Sequence, residues 1–211
     1  MHRISAFLIS LILLATINGL AFADSFEQSY KLIRPVQPTQ SEHKIEVVEV
    51  FWYGCLHCYN FEPYLNRWLE TKSEDIDFRR MPGIFNKSWI PHAKTYFTAK
   101  KMGVLEQIHE PLFHALHTQK RRINNDDALY DFVTKLGVDG GEFSKIYSSN
   151  ATETNIKEAL VMGQRYRVTG VPSVVVNGKY LISASLAGSF ENMLKVVDKL
   201  VDRERKALKE K

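Results

Sequence analysis

The only two cysteines of the 211-residue chain, Cys55 and Cys58, lie three positions apart in the segment FWYGCLHCYNFEP. Residues 45–53, which end just before this pair, are nearly all apolar, and such a run is typical of a strand buried on both faces. Gly54 suits a turn, and residues 58–68 have the pattern of a helix. The segment therefore predicts a strand, a tight turn and a helix that begins near Cys55.

The spacing of the cysteines restricts what the pair does. A structural disulfide across this four-residue loop would contribute only about 2 kcal/mol of stability, against about 4.7 kcal/mol for a 100-residue loop. A zinc site needs three or four ligands, and the sequence has no second CxxC motif and no paired histidines after this one. These observations favour a redox-active pair over a structural disulfide or a metal site.

The predicted helix start also indicates which cysteine reacts. Unpaired backbone N–H groups and the positive end of the helix dipole stabilise an anion there, so Cys55 is the predicted nucleophile. His57 adds a hydrogen-bond donor or a positive charge, and such surroundings lower a cysteine pKa from about 8.5 to roughly 3.5–7.5. Cys58, one turn inside the helix, is predicted to be shielded and to resolve mixed disulfides. The alternative for His57 is an exposed residue without a role.

Residues 1–23 are predicted to be a cleaved signal peptide. They contain a long apolar stretch and end in Ala-Phe-Ala at residues 21–23, which fits the small-x-small pattern of signal peptidase sites. The mature chain would begin at Asp24. An uncleaved membrane anchor is the alternative, but Asn18 and Gly19 interrupt the stretch and no basic cluster follows. Export would place both cysteines in an oxidising compartment, where thiols tend to pair.

The charge balance gives no sign of a nucleic-acid-binding surface. The chain has 28 Lys and Arg against 24 Asp and Glu, a formal net charge of +4, and this small excess is spread along the sequence. Removal of residues 1–23 takes away one arginine and no acid. With 45% hydrophobic residues, a chain of this length can bury a sizeable core of its own.

Three segments together make the chain resemble the DsbA family of bacterial periplasmic thiol:disulfide oxidoreductases. They are the CxxC motif with its preceding FWYG, Pro63 five residues after Cys58, and VTGVPSVVVNGKY at residues 168–180. The usual motif of this family is Cys-Pro-His-Cys, and Leu56 stands here in place of the proline. The resemblance implies that the thiol:disulfide chemistry is retained, whereas the redox potential depends on the residue at this position and is not determined by the resemblance.

The resemblance implies an α/β fold, namely a thioredoxin fold with an inserted all-helical domain. We predict the first part of the thioredoxin-like domain at residues 24–87, the helical insertion at 88–154 and the second part at 155–211. The sequence agrees, since no strand-like alternation occurs between Ser88 and Asn150 and apolar residues recur there at helical spacing. These apolar residues are Leu105, Ile108, Leu112 and Leu116, then Leu129, Phe132, Val133 and Leu136.

Local signals predict several element boundaries. The Asn-Asp-Asp sequence at residues 125–127 predicts a helix start, and Gly137 predicts its end. Residues 174–176 and 179–182 predict two strands joined by a tight Asn-Gly turn. The apolar spacing of residues 190–200 predicts a closing amphipathic helix.

The resemblance also implies a substrate-binding position at Val171 and Pro172. In thioredoxin-like proteins the proline opposite the CxxC motif follows a cis peptide bond. The carbonyl and N–H groups of the preceding residue, here Val171, are then free to pair with an extended substrate, as in strand addition.

Glu49 is the remaining candidate site residue. Strand alternation places it on the same face as Ile45, Val47 and Phe51, and a carboxylate among apolar residues is costly unless it is paired or neutral. One alternative is an edge position from which Glu49 reaches solvent. The resemblance implies instead a buried acid, held near Cys58 as a proton relay.

The resemblance implies a function in oxidative folding. The Cys55–Cys58 disulfide would be donated to unfolded, newly exported polypeptides in the periplasm, and a quinone-linked membrane oxidase would reoxidise the protein. We expect no flavin, metal or other cofactor, no nucleic-acid partner, and a monomer. The alternatives are a disulfide isomerase or reductase of the same fold, and a periplasmic holdase in which the CxxC motif is vestigial.

Overall fold

The computed structural model describes residues 26–210, so the predicted signal peptide at residues 1–23 lies outside the described residues. Within that range the strands form one five-stranded sheet with the order β1-β5-β4-β2-β3. Strands β2 and β3 are parallel, and the other neighbouring pairs are antiparallel. The strands are β1 (Lys31–Leu32), β2 (Ile45–Phe51), β3 (Ile76–Pro82), β4 (Ser173–Val176) and β5 (Tyr180–Ser183).

Helices connect and cover this sheet. Helix α1 (Leu56–Thr71) joins β2 to β3, and α7 (Ala184–Ala187) and α8 (Phe190–Lys209) follow β5. A short 3₁₀ helix (Lys87–Trp89) and five α-helices lie between β3 and β4: α2 (Ile90–Met102), α3 (Leu105–His117), α4 (Asp126–Lys135), α5 (Gly140–Tyr147) and α6 (Asn150–Arg165). No helix within residues 26–210 combines the length and apolar character needed to cross a membrane.

This element order agrees with a helical insertion between a first β-α-β portion and a closing β-β-α portion. The predicted boundary between residues 154 and 155 falls inside α6. The three domain boundaries stay a prediction.

The predicted limits of helix α4 match local hydrogen bonding. Asn125 is the N-cap, and its side-chain oxygen accepts a hydrogen bond from the backbone N–H of Ala128 at 2.9 Å. This bond satisfies one of the N–H groups that a helix start leaves without a partner. At the other end Gly137 has a φ of +84°, a left-handed conformation that glycine adopts without steric cost.

The predicted hairpin turn joins β4 to β5. Asn177 and Gly178 both have positive φ angles, 50° and 64°, which is the backbone of a type I′ turn. A Cβ atom on Gly178 would lie 2.2 Å from the carbonyl oxygen of Gln37. Only glycine therefore fits at this close approach between the turn and the segment that follows β1.

The core consists of three clusters of buried apolar residues, and β2 contributes residues to each of them. Ile45 and Val47 pack against apolar residues of α1 and α8, whereas Val48 and Val50 pack on the opposite face with residues of α2 and α6. Phe51 at the end of the strand packs with the inserted helices, in a cluster that also contains Cys58. Helix residues of that third cluster include Tyr96, Ile108, Leu112, Phe113 and Leu129. The CxxC motif therefore lies where the sheet meets the insertion.

Candidate active site

Cys55 is the N-cap residue of α1, as the sequence predicts. Its Sγ accepts a hydrogen bond from the backbone N–H of Cys58 at 3.3 Å, so it takes the place of a capping oxygen. Both cysteines are free thiols in this structure, Cys55 half-buried and Cys58 fully buried. A sulfur atom at this position faces the positive end of the helix dipole.

The two thiols have opposite pKa shifts. The pKa of Cys55 is lowered to about 6, chiefly by the hydrogen bond from the Cys58 thiol, and further by the backbone N–H groups of Cys58 and His57. Burial raises the pKa of Cys58, and its role as donor to Cys55 raises it further. At neutral pH the reduced site therefore holds a thiolate on Cys55 and a thiol on Cys58.

His57 is exposed on the first turn of α1. Its positive charge is the smallest of the named influences that lower the pKa of Cys55, behind its own backbone N–H group. The side chain lines a cavity of about 350 Å³ that Val171 and Pro172 also line. The backbone N–H group of His57 therefore lowers the pKa of Cys55 more than the charge of its side chain does.

Val171 and Pro172 lie directly beside Cys55. Sγ of Cys55 lies 3.4 Å from the carbonyl oxygen of Val171, across 116 positions of sequence, and donates a hydrogen bond to it when Cys55 is protonated. The Val171–Pro172 peptide bond is cis, as the resemblance implies; the cis bond between Arg34 and Pro35 is a second one that the sequence did not indicate. The fold therefore brings the predicted substrate-binding position to the nucleophile.

Glu49 is fully buried, and the alternative of an edge position that reaches solvent is wrong. It lies on β2, an inner strand between β4 and β3. Burial is the largest of the influences that raise its pKa to about 8, and the nearby Glu62 carboxylate adds to this, although the Arg80 guanidinium opposes it. Its negative charge also raises the pKa of Cys58, so the two groups lie close enough to affect each other.

The two oxygen atoms of Glu49 have different surroundings. Oε2 accepts a hydrogen bond from Nε of Arg80 at 2.9 Å, whereas the buried Oε1 has no hydrogen-bond partner among the described residues. A buried oxygen without a partner is costly as a carboxylate, which favours the protonated form. The Oε1 atom is therefore the one available to hold a proton.

A buried polar network continues from Glu49 into the helical insertion, and the sequence did not indicate it. Nη2 of Arg80 lies 3.0 Å from Oε2 of Glu62, whose Oε1 is 3.4 Å from Nε2 of His109. Nδ1 of His109 is 2.8 Å from the hydroxyl oxygen of Tyr53. Burial opposes ionisation of Glu62, but His109 and Arg80 outweigh it and lower the pKa of this carboxyl group.

Glu62 is the member of this network whose proximity to the CxxC motif could have been inferred from the sequence. Glu62 lies four positions after Cys58 on α1, so the two side chains share a helix face. Arg80 on β3 and His109 on α3 come from other elements, and nothing near them in the sequence links them to Glu49.

A second group of contacts joins the insertion to the loop before Cys55. Nε2 of His117 lies 2.7 Å from the carbonyl oxygen of Tyr53, and the rings of His117 and Tyr59 stack at 5.3 Å with an interplanar angle of 18°. The hydroxyl of Tyr59 is 2.9 Å from Oγ1 of Thr118. These contacts fix the end of α3 against both sides of the CxxC motif.

Known proteins are similar to this chain in sequence and in structure. A family model described as a DSBA-like thioredoxin domain matches residues 70–195. The thiol:disulfide interchange protein DsbA of Pseudomonas aeruginosa strain PAO1 is 37% identical over 206 residues, which cover 96% of this chain and 97% of the relative. The protein of the same name from Azotobacter vinelandii is 39% identical over 170 residues, or 81% and 79% of the two chains.

The fold is likewise shared with a solved structure. The crystal structure of Pseudomonas aeruginosa DsbA matches with a TM-score of 0.83 and 38% sequence identity, over 87% of this chain and 95% of that one. The predicted thioredoxin fold with a helical insertion and the predicted thiol:disulfide interchange activity are confirmed. The chain belongs to the family of DsbA-like thioredoxin-domain proteins and is a thiol:disulfide oxidoreductase.

Proposed function

We propose that the protein acts as a dithiol oxidase, which donates a Cys55–Cys58 disulfide to reduced polypeptides newly exported to the periplasm. The observation that supports oxidation of the substrate, rather than its reduction, is the position of the Cys55 sulfur at the N-cap of α1, where its pKa is lowered to about 6. Stabilising the thiolate favours the reduced protein, so the disulfide form is the better oxidant. DsbA is known as a strong oxidant for this reason, because its reduced form is stabilised.

The first step is attack on the exposed end of the disulfide. A substrate thiolate attacks Sγ of Cys55, because Cys58 is fully buried. The bond between the two cysteines breaks, a mixed disulfide forms between Cys55 and the substrate, and the sulfur of Cys58 leaves with the electron pair. Because burial raises the pKa of Cys58, this sulfur takes up a proton.

The second step releases the product. A second thiolate of the substrate attacks the substrate sulfur of the mixed disulfide, and Cys55 leaves as a thiolate. A thiolate with a pKa near 6 is a good leaving group. The substrate loses two electrons and gains a disulfide, while the protein ends as the dithiol found in this structure.

Glu49 acts as the proton relay for Cys58. With a pKa of about 8 it is largely protonated at neutral pH, and its Oε1 atom is free of other partners among the described residues. It gives a proton to Cys58 when that sulfur leaves, and accepts one when Cys58 is deprotonated during reoxidation. His57 supports the Cys55 thiolate through its backbone N–H group and, more weakly, its charge.

Val171 and Pro172 receive the substrate backbone. The Val171 carbonyl oxygen accepts the hydrogen bond of the Cys55 thiol, and this bond is lost when the sulfur carries no proton. In the disulfide form the carbonyl is then open to an N–H group of an extended polypeptide. The cavity beside these residues, about 350 Å³ in volume, gives room for the adjoining substrate side chains.

The partners follow from the direction of electron flow. Each cycle leaves two electrons on the protein, so an oxidant is required to restore the disulfide. We propose that a quinone-linked membrane oxidase fills this role, as the resemblance to the DsbA family implies. The predicted signal peptide at residues 1–23 supports the periplasmic location, and we propose that the protein acts there as a monomer.

The redox potential of the Cys55–Cys58 couple tests this proposal. We expect a value clearly more oxidising than that of thioredoxin, about −270 mV, together with stoichiometric oxidation of a reduced two-cysteine peptide. A potential close to that of thioredoxin would assign the protein to the reductases or isomerases. The variant with serine at both cysteines is the control, because full suppression of aggregation by that variant would indicate a holdase.

A further inference from the structure

A second groove, with a volume of about 830 Å³, lies apart from the CxxC site. Strand β3, helices α2 and α6 and the segment 38–40 form its walls. Neither cysteine lines it, and Val171 and Pro172 do not line it either. The thiol:disulfide chemistry therefore does not account for this groove.

The rim of the groove is strongly cationic. Lys100 and Lys101 at the end of α2 face it from one side, and Lys157 and Arg165 of α6 from the other. All four are exposed, and none of them forms an ion pair with any residue in the range 26–210. Among the residues that the structure describes, Glu158 is the one acidic residue that lines the groove. Four unpaired cations against one carboxylate create a local positive potential that attracts anions.

The cations at the base of the groove are already neutralised. Arg79 forms an ion pair with the buried Glu46 at 2.9 Å, and Arg80 forms one with Glu62 at 3.0 Å. The positive charge that remains is therefore the charge of the rim.

Apolar side chains make up much of the remaining lining. Met81, Phe97, Ala159 and Met162 lie along it, and Val161 is 43% exposed although it is a large apolar residue. Lys157, Val161 and Arg165 recur at intervals of four residues, so they form one stripe along α6. The rise between the two cations of this stripe is about 12 Å. An anionic headgroup bound at either cation would place the rest of the ligand on the apolar surface between them.

We propose that this groove binds a small amphipathic anion, a single acyl chain that ends in a carboxylate or phosphate group. The headgroup pairs with the cations of the rim, and the chain covers the apolar lining. The volume lies within the range of about 300–1,000 Å³ that is usual for small-molecule sites. A purely acidic peptide would leave the apolar lining uncovered, and the concave shape does not suit the flat surface of a membrane.

Dodecanoate, used below the concentration at which it forms micelles, is the probe for this site. We expect saturable binding with one molecule per protein in isothermal titration calorimetry. The double variant Lys100→Gln/Lys157→Gln is expected to bind about tenfold more weakly or worse, a loss of about 1.4 kcal/mol or more, because it removes two of the four cations of the rim. Dodecyl phosphate, titrated in parallel, tells a carboxylate headgroup from a phosphate one, and tight binding of either supports the proposal.

Lys135 and Lys145 supply the matched control. Both are exposed lysines on other helices, α4 and α5, and neither forms an ion pair with a described residue. The double variant Lys135→Gln/Lys145→Gln removes the same charge and is expected to bind dodecanoate within about twofold of the wild type. The variant with serine at both cysteines is expected to bind normally, so the result is independent of the proposed oxidase function.

Several results would overturn the proposal. Equal binding of the uncharged dodecyl maltoside would exclude recognition of an anion, and equal binding of acetate would exclude a role for the chain. Tighter binding of a hexaglutamate peptide than of dodecanoate would indicate a peptide groove. Binding to phosphatidylglycerol vesicles without binding of monomeric dodecanoate would indicate a membrane-contacting surface. Unchanged affinity in Lys100→Gln/Lys157→Gln would show that these two lysines do not bind the anionic headgroup.

Discussion

Cys55 and Cys58 have the same side chain, but their pKa values shift in opposite directions because one is the N-cap of α1 and the other lies inside its first turn. The N-cap position surrounds the first sulfur with hydrogen-bond donors, whereas burial deprives the second of solvation. The division of roles between nucleophile and resolving thiol follows from these surroundings and not from the chemistry of cysteine itself.

At the scale of this residue pair, alkylation should be strongly asymmetric. We expect iodoacetamide to modify Cys55 of the reduced protein far faster than Cys58, with a rate that rises through a midpoint near pH 6. Peptide mapping by mass spectrometry after short reaction times measures both rates. Equal labelling, or faster labelling of Cys58, would contradict the assignment of the nucleophile.

Two substitutions should rank the influences on the Cys55 thiolate. Cys58→Ala removes the largest of them, so it should raise the pKa of Cys55 more than His57→Ser, which removes the smallest. The ultraviolet absorbance of the thiolate as a function of pH measures each pKa. A larger shift in His57→Ser would show that the charge of the imidazole dominates.

Glu49→Gln should have opposite effects on stability and on rate. The folded pKa of about 8 lies above the ordinary value of 4.5, so the wild type loses stability relative to the variant as pH rises from 4.5 to 8. Between these two pH values, the free energy of unfolding of the wild type should fall relative to that of the variant by about 1.4 kcal/mol per pH unit. Deprotonation of Cys58 during reoxidation should slow, whereas attack of a substrate thiol on Cys55 should change less.

Urea unfolding across this pH range and stopped-flow kinetics of both half-reactions test the Glu49 prediction. Glu46→Gln is the matched control, because Glu46 is also buried on β2 but faces the other side of the sheet, where it pairs with Arg79. This control should be destabilised with both half-reactions intact. A Glu49→Gln protein that is destabilised at pH 8 and reacts at wild-type rates would show that Glu49 is only a structural ion-pair partner.

At the scale of single elements, short-range capping defines many of the helix starts. Side-chain oxygens accept hydrogen bonds from backbone N–H groups three positions later, at 2.8 to 3.3 Å, at the starts of α4, α5, α6 and α8. The capping residues are Asn125, Asp139, Ser149 and Ser189. Since α4 and α5 contribute to the cluster that contains Cys58, these caps also support the site.

Asn125→Ala should lower the free energy of unfolding by about 1 kcal/mol, since it removes the cap of α4. The conservative variant Asn125→Ser should recover most of the loss, because serine is also a good N-cap residue. Chemical denaturation of the three proteins at one pH measures the difference. Equal stability of the alanine variant and the wild type would show that the cap does not contribute.

At the scale of the whole molecule, the reduced protein should be more stable than the oxidised one at neutral pH. The folded pKa of Cys55, about 6, lies below its ordinary value of about 8.5. The stabilisation of the reduced form is therefore full above pH 8.5 and is lost as pH falls through 6.

Thermal unfolding of both redox forms between pH 5 and 9 measures this difference in stability. The gap in melting temperature should narrow towards the acidic end of the range. An oxidised form that melts higher than the reduced form at pH 7 would contradict both the pKa of Cys55 and the proposed direction of electron flow.

The sequence by itself determined the features that depend on neighbours along the chain. The apolar run, Gly54 and the CxxC motif predicted β2, the turn and α1, and the structure has β2 ending at Phe51, two residues earlier than the apolar run. The cap at Asn125 and the Asn-Gly turn were predicted in the same way. Such features are local because hydrogen bonds and steric limits within a few residues decide them.

Only the tertiary structure decided which distant residues meet. Val171 reaches Cys55 across 116 positions, and Arg80 and His109 reach the surroundings of Glu49 from other elements. The sequence left open whether Glu49 is buried, because its exposure depends on the strand order that places β2 inside the sheet. The basic groove between β3, α2 and α6 likewise exists only after packing. Contacts of this kind depend on the relative placement of whole elements, about which no short segment carries information.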